Sequence, residues 1–444
     1  MKDKKKVIEY IILGLILFCC QYFFTDMMGD EIWNYSFAKN IAEGMIPYKD
    51  FHMLQTPLFA FIEAIFLKIL GNNLATFHLV NTFIVLFIYK QYRDYNKNAA
   101  LLCFSVFIAF LVPSYTVMTL LFLALILKEE RKNKKEKDNT YIGFLLALCF
   151  FTKQNVGVVL SIVGFLSCII LKEKKEFIDR MKGFILATIP FFIYFLVTKS
   201  LYDFFDHTIL GLLEFTNNRL ITPAIIMEGI ILLYIIYELI NNKKERRIFF
   251  YYLAFQIISV PLIDGYHVIV ATLPVFIQIF SKGKINTKVV YGLSIYCILI
   301  TFVFHGIRLK ENNFIYDHDL KFAKYKLMDE VSANGIKNVA NFIKGNKNEV
   351  IIIDECAILF RIAAEEKITK FDFLLDGNMG YNGSSKMLNK IKNKCDKEKC
   401  TFLMVKDENL WNKPTNQVNK KFYYYVKDNF EEKESLEYLT IYEW

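Results

Sequence analysis

The sequence has 6 His in 444 residues, and neither His52 nor His267 stands at the paired spacing of a metal site, so no metal centre is expected. It also lacks a phosphate-cradling glycine fingerprint. Gly377, Gly380 and Gly383 in Asp-Gly-Asn-Met-Gly-Tyr-Asn-Gly mark a loop, without the preceding strand, following helix and tighter spacing that such a fingerprint needs. There is no internal repeat. The N-terminus, Met-Lys-Asp-Lys-Lys-Lys, runs into apolar residues 7–24 with no small-x-small cleavage site after them, which argues against a cleaved signal peptide and for a first membrane span. Free polar thiols are scarce too. Of 9 Cys, Cys19, Cys20, Cys103, Cys149, Cys168 and Cys297 fall inside apolar runs and read as packing residues. Cys395 and Cys400 are the two close together in a polar stretch, either as a small disulfide or as two thiols.

What is abundant is apolar surface. Hydrophobic residues make up 54% and aromatic residues 16%, and the mean hydropathy is +0.29, far above what a soluble domain of this size needs for its core. The net charge of +9 comes from Lys and Arg in short clusters between apolar runs, not on one face. That is the positive-inside pattern of a membrane protein, and it excludes nucleic acid as the partner.

A span needs about 20 apolar residues, fewer where flanking side chains snorkel. The candidates are 7–24, 74–89, 99–112, 115–127, 141–151, 156–171, 183–197, 221–240, 248–263, 268–280 and 289–307. Basic clusters at 2–6, 90–97, 128–137, 172–182, 243–247 and 282–288 all fall on the cytoplasmic side if the segment 57–70 does not cross. That segment, interrupted by Glu63 and Lys68, is therefore read as an interfacial amphipathic helix. The expected fold is a polytopic α-helical membrane protein of about eleven spans, N-terminus inside, with residues 1–309 as the membrane domain. From residue 310 to 444 the apolar runs shorten. Segments 350–354 and 402–405 read as buried strands, 439–442 as a weaker third, and helical periodicity covers 321–343, 357–366, 385–391 and 416–429, which together predict a small extracytoplasmic α/β domain.

The first outer loop, 25–56, opens with Asp26, Asp30 and Glu31 where the first span ends. A carboxylate there is partly desolvated, so its protonation can be tuned toward that of a working base. A second reading also stands. Asp30 can N-cap a helix over 31–43, whose Trp33, Phe37 and Ile41 form an apolar stripe before Gly44. The loop continues Gly44-Met-Ile-Pro-Tyr-Lys-Asp-Phe-His52 and then Leu54-Gln-Thr-Pro-Leu58.

This run of Asp-Glu, short helix, Gly-x-x-Pro-Tyr-x-Asp-Phe, Gln-x-Pro-Leu and an amphipathic segment ending in Leu-Gly resembles the first outer loop of bacterial membrane glycosyltransferases of the GT-C fold. These are the relatives of protein O-mannosyltransferases and of the aminoarabinose transferase that modifies lipid A, families 39 and 83. The resemblance covers roughly the first 310 residues in architecture. It implies that Asp30 is the catalytic base and Glu31 a second acid, and that Asp50 and Gln55 shape the site. Lys153, in Phe151-Thr-Lys-Gln-Asn155, resembles the element beside the donor phosphate, with Gln154 next to it; a Lys snorkelling to headgroups is the other reading. Arg219 is a second candidate partner for phosphate. Tyr266 and His267, in Asp-Gly-Tyr-His before Leu273-Pro274, resemble the aromatic or His element of a late span, His267 serving either the donor site or a structural hydrogen bond.

The implied activity is transfer of a sugar from a polyprenyl-phosphate-linked donor to a cell-envelope glycan, lipid or protein outside the bacterial cytoplasmic membrane, with no cofactor. No Asp-x-Asp motif stands in a cytoplasmic domain, which fits a lipid-linked rather than a nucleotide-linked donor. Two rivals belong to other classes. A transporter or flippase of lipid-linked saccharides calls for charges deep within spans, whereas Glu63, Glu228 and Glu238 sit near proposed ends. A catalytically inactive scaffold of the same fold is kept open by the C-terminal domain, in which no catalytic motif is legible.

Overall fold

The computed structural model describes residues 2–24, 29–110, 114–215, 220–260, 262–282, 287–311, 314–316, 318–405, 418–436 and 439–444. The chain opens with α1 (Lys2–Phe23), α2 (Gly29–Ala42), α3 (Leu58–Leu70), α4 (Leu74–Tyr95), α5 (Lys97–Phe110) and α6 (Tyr115–Glu130). There follow α7 (Asn139–Thr152), α8 (Gln154–Ile170), α9 (Lys174–Val197), the short α10 (Leu201–Phe205), a π-helical turn (Asp206–Leu210) and α11 (Gly211–Phe215). The helical part closes with α12 (Ile225–Asn241), α13 (Arg246–Phe255), α14 (Gly265–Lys282) and α15 (Thr287–Glu311).

Among the described residues, each apolar segment anticipated as a span contains one of these helices in whole or in part. Four are long and apolar enough to cross a membrane by length and composition: Lys4–Phe23, Leu74–Tyr95, Lys174–Val197 and Gly265–Lys282. Two boundaries differ from expectation. Residues 220–221 form β1 (Leu220–Ile221), parallel to β2 (Leu262–Ile263), so α12 begins at Ile225. The run 248–263 is not one helix, because α13 stops at Phe255 and passes into a 3-10 turn, Gln256–Ser259. Gln256 sustains that break by donating to the carbonyls of Tyr252 (3.1 Å) and Ala271 (2.9 Å).

Helix starts are set by side chains. Asn73 accepts from the Thr76 N–H at 2.9 Å, and Asp138 accepts from the Tyr141 N–H at 2.9 Å. Helices α7 and α9 cross through two glycines. A Cβ at Gly143 would lie 1.8 Å from the Arg180 carbonyl, and one at Gly183 would lie 1.8 Å from that of Thr140.

The two ends of the bundle are chemically different. At one end the turns after α6, α8 and α12 are tied by charges. Arg180 reaches Glu130 at 2.7 Å, Lys137 reaches Glu176 at 3.0 Å, and Arg247 reaches Glu176 at 3.0 Å. At the other end meet the loop 43–57, the α7–α8 junction, residues 198–215 and 220–224, and residues 256–260 and 262–264. Gln154 donates to the carbonyls of Leu54 (2.9 Å) and Thr208 (3.1 Å), Lys49 to that of Thr198 (3.1 Å), and Thr222 to that of Ile263 (2.8 Å).

The C-terminal part sits on that second end. A short antiparallel pair, β3 (Phe314–Ile315) with β4 (Met328–Asp329), leads into α16 (Glu330–Gly345), β5 (Glu349–Ile353), α17 (Ala357–Ala363), α18 (Gly383–Cys395), β6 (Cys400–Met404), α19 (Lys420–Asn429), β7 (Glu431–Ser435) and β8 (Thr440–Glu443). The sheet runs β5-β6-β8-β7, with β5 and β6 parallel and the other pairs antiparallel. Helix α16 buries Ala333, Ile336, Val339, Ala340 and Ile343, one face at helical spacing. Cys395 and Cys400 are joined by a disulfide. Strand β7 was not anticipated, because Glu-Glu-Lys-Glu-Ser is fully exposed and charged, the composition of a guarded sheet edge.

Candidate active site

Where α2, the 43–57 loop, the α7–α8 junction, residues 256–260, the start of α14 and the C-terminal domain converge, they border a partly open cavity of about 150 Å³. Asp30, Gln55, Lys153, Gln154 and His267 all line it, although they are far apart in sequence.

Asp30 lies in the first turn of α2, not before it, and among the described residues its carboxylate makes no hydrogen bond to a helix N–H and no ion pair. The capping reading of Asp30 therefore finds no support in the geometry. The carboxylate keeps solvent-accessible surface on the cavity side yet is closely walled by protein. Burial raises its proton affinity above the ordinary aspartate range, His267 and Lys153 pull it back down, and Asp264 adds a further upward push.

Lys153 is 7% exposed, so it is not a lysine snorkelling to the membrane surface. The tight α7–α8 junction fixes it: a Cβ at Gly157 would lie 2.1 Å from Phe150 Cα, so only glycine lets α8 start directly against α7. Its Nζ donates to Thr116 Oγ1 at 3.1 Å and lies 5.2 Å from the Tyr115 ring centre. Among the described residues it has no salt-bridge partner within ion-pair distance, which leaves two ammonium donors uncommitted. Burial lowers its pKa to about 8 against the upward pull of Asp30 and Asp264. An unpaired carboxylate and an unpaired ammonium thus face one cavity, close enough to shift each other's titration.

His267 is held by Asp264, which accepts from its backbone N–H and pairs with its Nδ1, both at 2.9 Å. That leaves Nε2 as the ring's remaining polar atom. Gln55 donates to Asn34 Oδ1 at 2.9 Å, and Asn34 donates to the Asp30 carbonyl at 2.7 Å, so the amide pair fixes the first turn of α2.

The remaining sequence candidates lie elsewhere. Glu31 points away from the cavity and is buried with His78 Nε2 (2.5 Å) and Lys326 Nζ (3.3 Å), because the residue after Asp30 on a helix faces about 100° round. Asp50 accepts from the Ile46 N–H at 2.7 Å and fastens its own loop. Tyr266 bonds Ser114 at 2.7 Å and is not part of the lining. His52 Nδ1 contacts His207 Nε2 at 2.8 Å, and burial holds both rings below the usual histidine range, so they form a neutral structural pair. Arg219 lies outside the described residues.

Sequence reasoning missed the roof. Asn378 and Phe373, both from the C-terminal domain, line the cavity. Asn378 accepts from the Leu54 N–H at 3.2 Å, and Phe373 meets Trp33 and Phe37 edge-on at 5.7 and 5.3 Å between ring centres. The only signal was the glycine-punctuated loop 376–383. Its role is docking: the Asn382 N–H donates to Glu214 at 2.7 Å, and the Tyr381 N–H donates to Asp206 at 3.3 Å.

No protein-family model matches the sequence, and no curated protein matches it. Solved structures do. The chain superposes on the apo structure of ArnT from Cupriavidus metallidurans with a TM-score of 0.60 at 8% identity, over 100% of this chain and 98% of that one. It superposes on the same protein bound to undecaprenyl phosphate with a TM-score of 0.59 at 10% identity, over 99% and 98%. The likeness extends past residue 310 through the C-terminal domain, which is therefore part of the shared architecture and not an addition to it. This chain has the GT-C fold of membrane glycosyltransferases.

Proposed function

We propose that the chain transfers a sugar from a polyprenyl-phosphate-linked donor to a hydroxyl of a cell-envelope glycan, lipid or protein, at the outer face of the bacterial cytoplasmic membrane. The observation that carries this reading is the Asp30 carboxylate, unpaired among the described residues, sharing a cavity with the Lys153 ammonium, which has no ion-pair partner among them. The binding of undecaprenyl phosphate by the structural neighbour supports a polyprenyl-linked donor.

Asp30 removes the proton of the acceptor hydroxyl as its oxygen attacks the anomeric carbon. The bond from that carbon to the phosphate oxygen breaks, the configuration inverts, and the phosphate remains on the lipid with its added charge met by Lys153. His267 is a further donor to the phosphate or the sugar, held in orientation by Asp264. Gln55, Gln154 and Asn34 fix the walls. Glu31 and Asp50 act at a distance, as anchors of α2 and of the 43–57 loop, and Tyr266 with Ser114 braces the turn behind His267. The loop end bearing the cavity is extracytoplasmic and the ion-paired end cytoplasmic, in keeping with the basic clusters at 128–137, 172–182 and 243–247.

The test is a product assay in proteoliposomes with a polyprenyl-phosphate sugar. Wild-type protein forms a glycosidic product, and Asp30→Asn and Lys153→Ala do not. Full transfer by both variants overturns the assignment, and translocation of a labelled lipid without a new glycosidic bond favours a flippase.

A further inference from the structure

Several sites were candidates for a second function. The ion-paired cluster around Arg180 is closed on itself, with Glu130, Glu176 and Lys137 matched charge for charge. The groove between α2, α3 and α9 is lined mainly by apolar side chains, with Lys68 among them, which points to no particular occupant. The cavity wall itself carries more information, because its hydrogen-bonding capacity is only partly used by the protein.

Four amide side chains line the cavity with one end spent and one end spare. Gln55 and Gln154 use their NH₂ groups, on Asn34 and on the Leu54 and Thr208 carbonyls, so each keeps its oxygen. Asn155 and Asn378 use their oxygens, accepting from the N–H groups of Val156 and Leu54 at 2.9 and 3.2 Å, so each keeps its NH₂. Among the described residues these spare atoms have no protein partner. The wall therefore offers two acceptors and two donors, all uncharged. A sugar hydroxyl both donates and accepts, and such a mixed amide set satisfies it. Beside the amides stand Trp33, Phe37, Tyr115 and Phe373, apolar faces against which the C–H side of a sugar ring packs.

The charges are as informative. Among the described residues that line the cavity the charged groups are Asp30 and Lys153, with His267 as the titratable third. On the proposed reaction the carboxylate is the base and the ammonium meets the phosphate. An amino sugar would then bring a cation with no second carboxylate to receive it, and a uronic acid an anion competing with the phosphate for Lys153.

Resting on the reading of the chain as a polyprenyl-phosphate-dependent transferase, we propose that its donor sugar is a neutral, hydroxyl-rich hexose. On this proposal Asn378 and Phe373 of the C-terminal domain are specificity-determining contacts to that sugar. The domain that roofs the cavity thereby takes part in choosing the sugar, which explains why it is fastened to the 43–57 loop by Asn378 and to the π-helical turn by Asp206.

The test measures binding to the full chain in lipid nanodiscs with four probes: undecaprenyl phosphate alone, and the same lipid carrying glucose, 4-amino-4-deoxyarabinose or glucuronic acid. The expected result is that the glucose conjugate binds at least about tenfold tighter, about 1.4 kcal/mol, than bare lipid and than either charged conjugate. Asn378→Leu is expected to remove that advantage while leaving the affinity for bare lipid unchanged, which a merely structural loss would not do. Tightest binding of a charged conjugate, or equal binding of all three, overturns the neutral-sugar inference and leaves the transferase reading standing. Failure of every polyprenyl probe to bind overturns both. An unchanged glucose preference in Asn378→Leu and in Phe373→Ala overturns the part given to the C-terminal domain.

Discussion

Lys153 is costly where it stands, buried and without an ion-pair partner among the described residues, and Asp30, exposed by accessible surface and likewise unpaired among them, lines the same cavity. A charge without a protein partner at a cavity wall is one a ligand can complete, and on the proposed mechanism the two groups are complementary to an attacking hydroxyl and a leaving phosphate. The pH dependence follows from the two shifts. On the proposed mechanism, transfer needs Asp30 ionised and Lys153 protonated. Since burial raises the Asp30 pKa, kcat/KM falls on the acid side at a pH above the ordinary aspartate value of about 3.9. Since burial lowers the Lys153 pKa to about 8, activity falls again as pH rises through about 8. A pH–rate profile checks this: a bell with those limbs is expected in the wild type, and Lys153→Arg should move the alkaline limb upward. An alkaline limb near 10 would show that Lys153 is not the titrating cation.

Helix α2 is the element on which the site depends, because it carries Asp30 on one face and Glu31 on another. Glu31 ties it to His78 on α4 and to Lys326, which comes from beyond the membrane helices. Glu31→Gln takes from the buried Lys326 the carboxylate it meets at 3.3 Å, and the expected cost is about 3–5 kcal/mol of thermal or denaturant stability. The double variant Glu31→Gln with Lys326→Met should cost less than the single change, read from a double-mutant cycle. Additive losses would mean that the pair does not interact. The loop 376–383 is the second such element. Gly380 has φ +80°, and a Cβ there would lie 2.4 Å from an Asp206 carboxylate oxygen. Gly380→Ala should therefore undock the loop, lowering transfer while the helical bundle keeps its melting temperature. Full activity in that variant would remove the loop from the site. The sequence made α2 legible through its acids, its apolar stripe and Gly44, but the direction of Glu31 was not legible, because its partners Lys326 and His78 are set by packing alone. Asn378 was hidden for the same reason: its partner Leu54 is 324 residues away.

At the scale of the whole molecule, long apolar runs are the strongest signal a sequence carries, which is why all but one of the anticipated spans lie mainly on a single helix among the described residues, the run 248–263 doing so only in its first half. Exposed and polar elements carried less: β7 has no apolar face, and the break after Phe255 depends on a glutamine bonding to a neighbouring helix. The two chemically distinct ends give a topology prediction. With a Cys-free background, Asn133→Cys should label from the cytoplasmic side only, and Lys199→Cys and Tyr381→Cys from outside intact cells. The reverse pattern would turn the molecule over in the membrane and move the cavity to the cytoplasm. The central claim remains that Asp30 is the base, and it is tested most directly by the initial rate of sugar transfer by Asp30→Asn in proteoliposomes. Asn has nearly the shape of Asp and lacks the charge, so the variant should insert, melt and bind the lipid donor as the wild type does, while turnover falls about 10² to 10⁴ fold. A rate within about twofold of wild type, well short of the effect of losing a general base, would contradict the account.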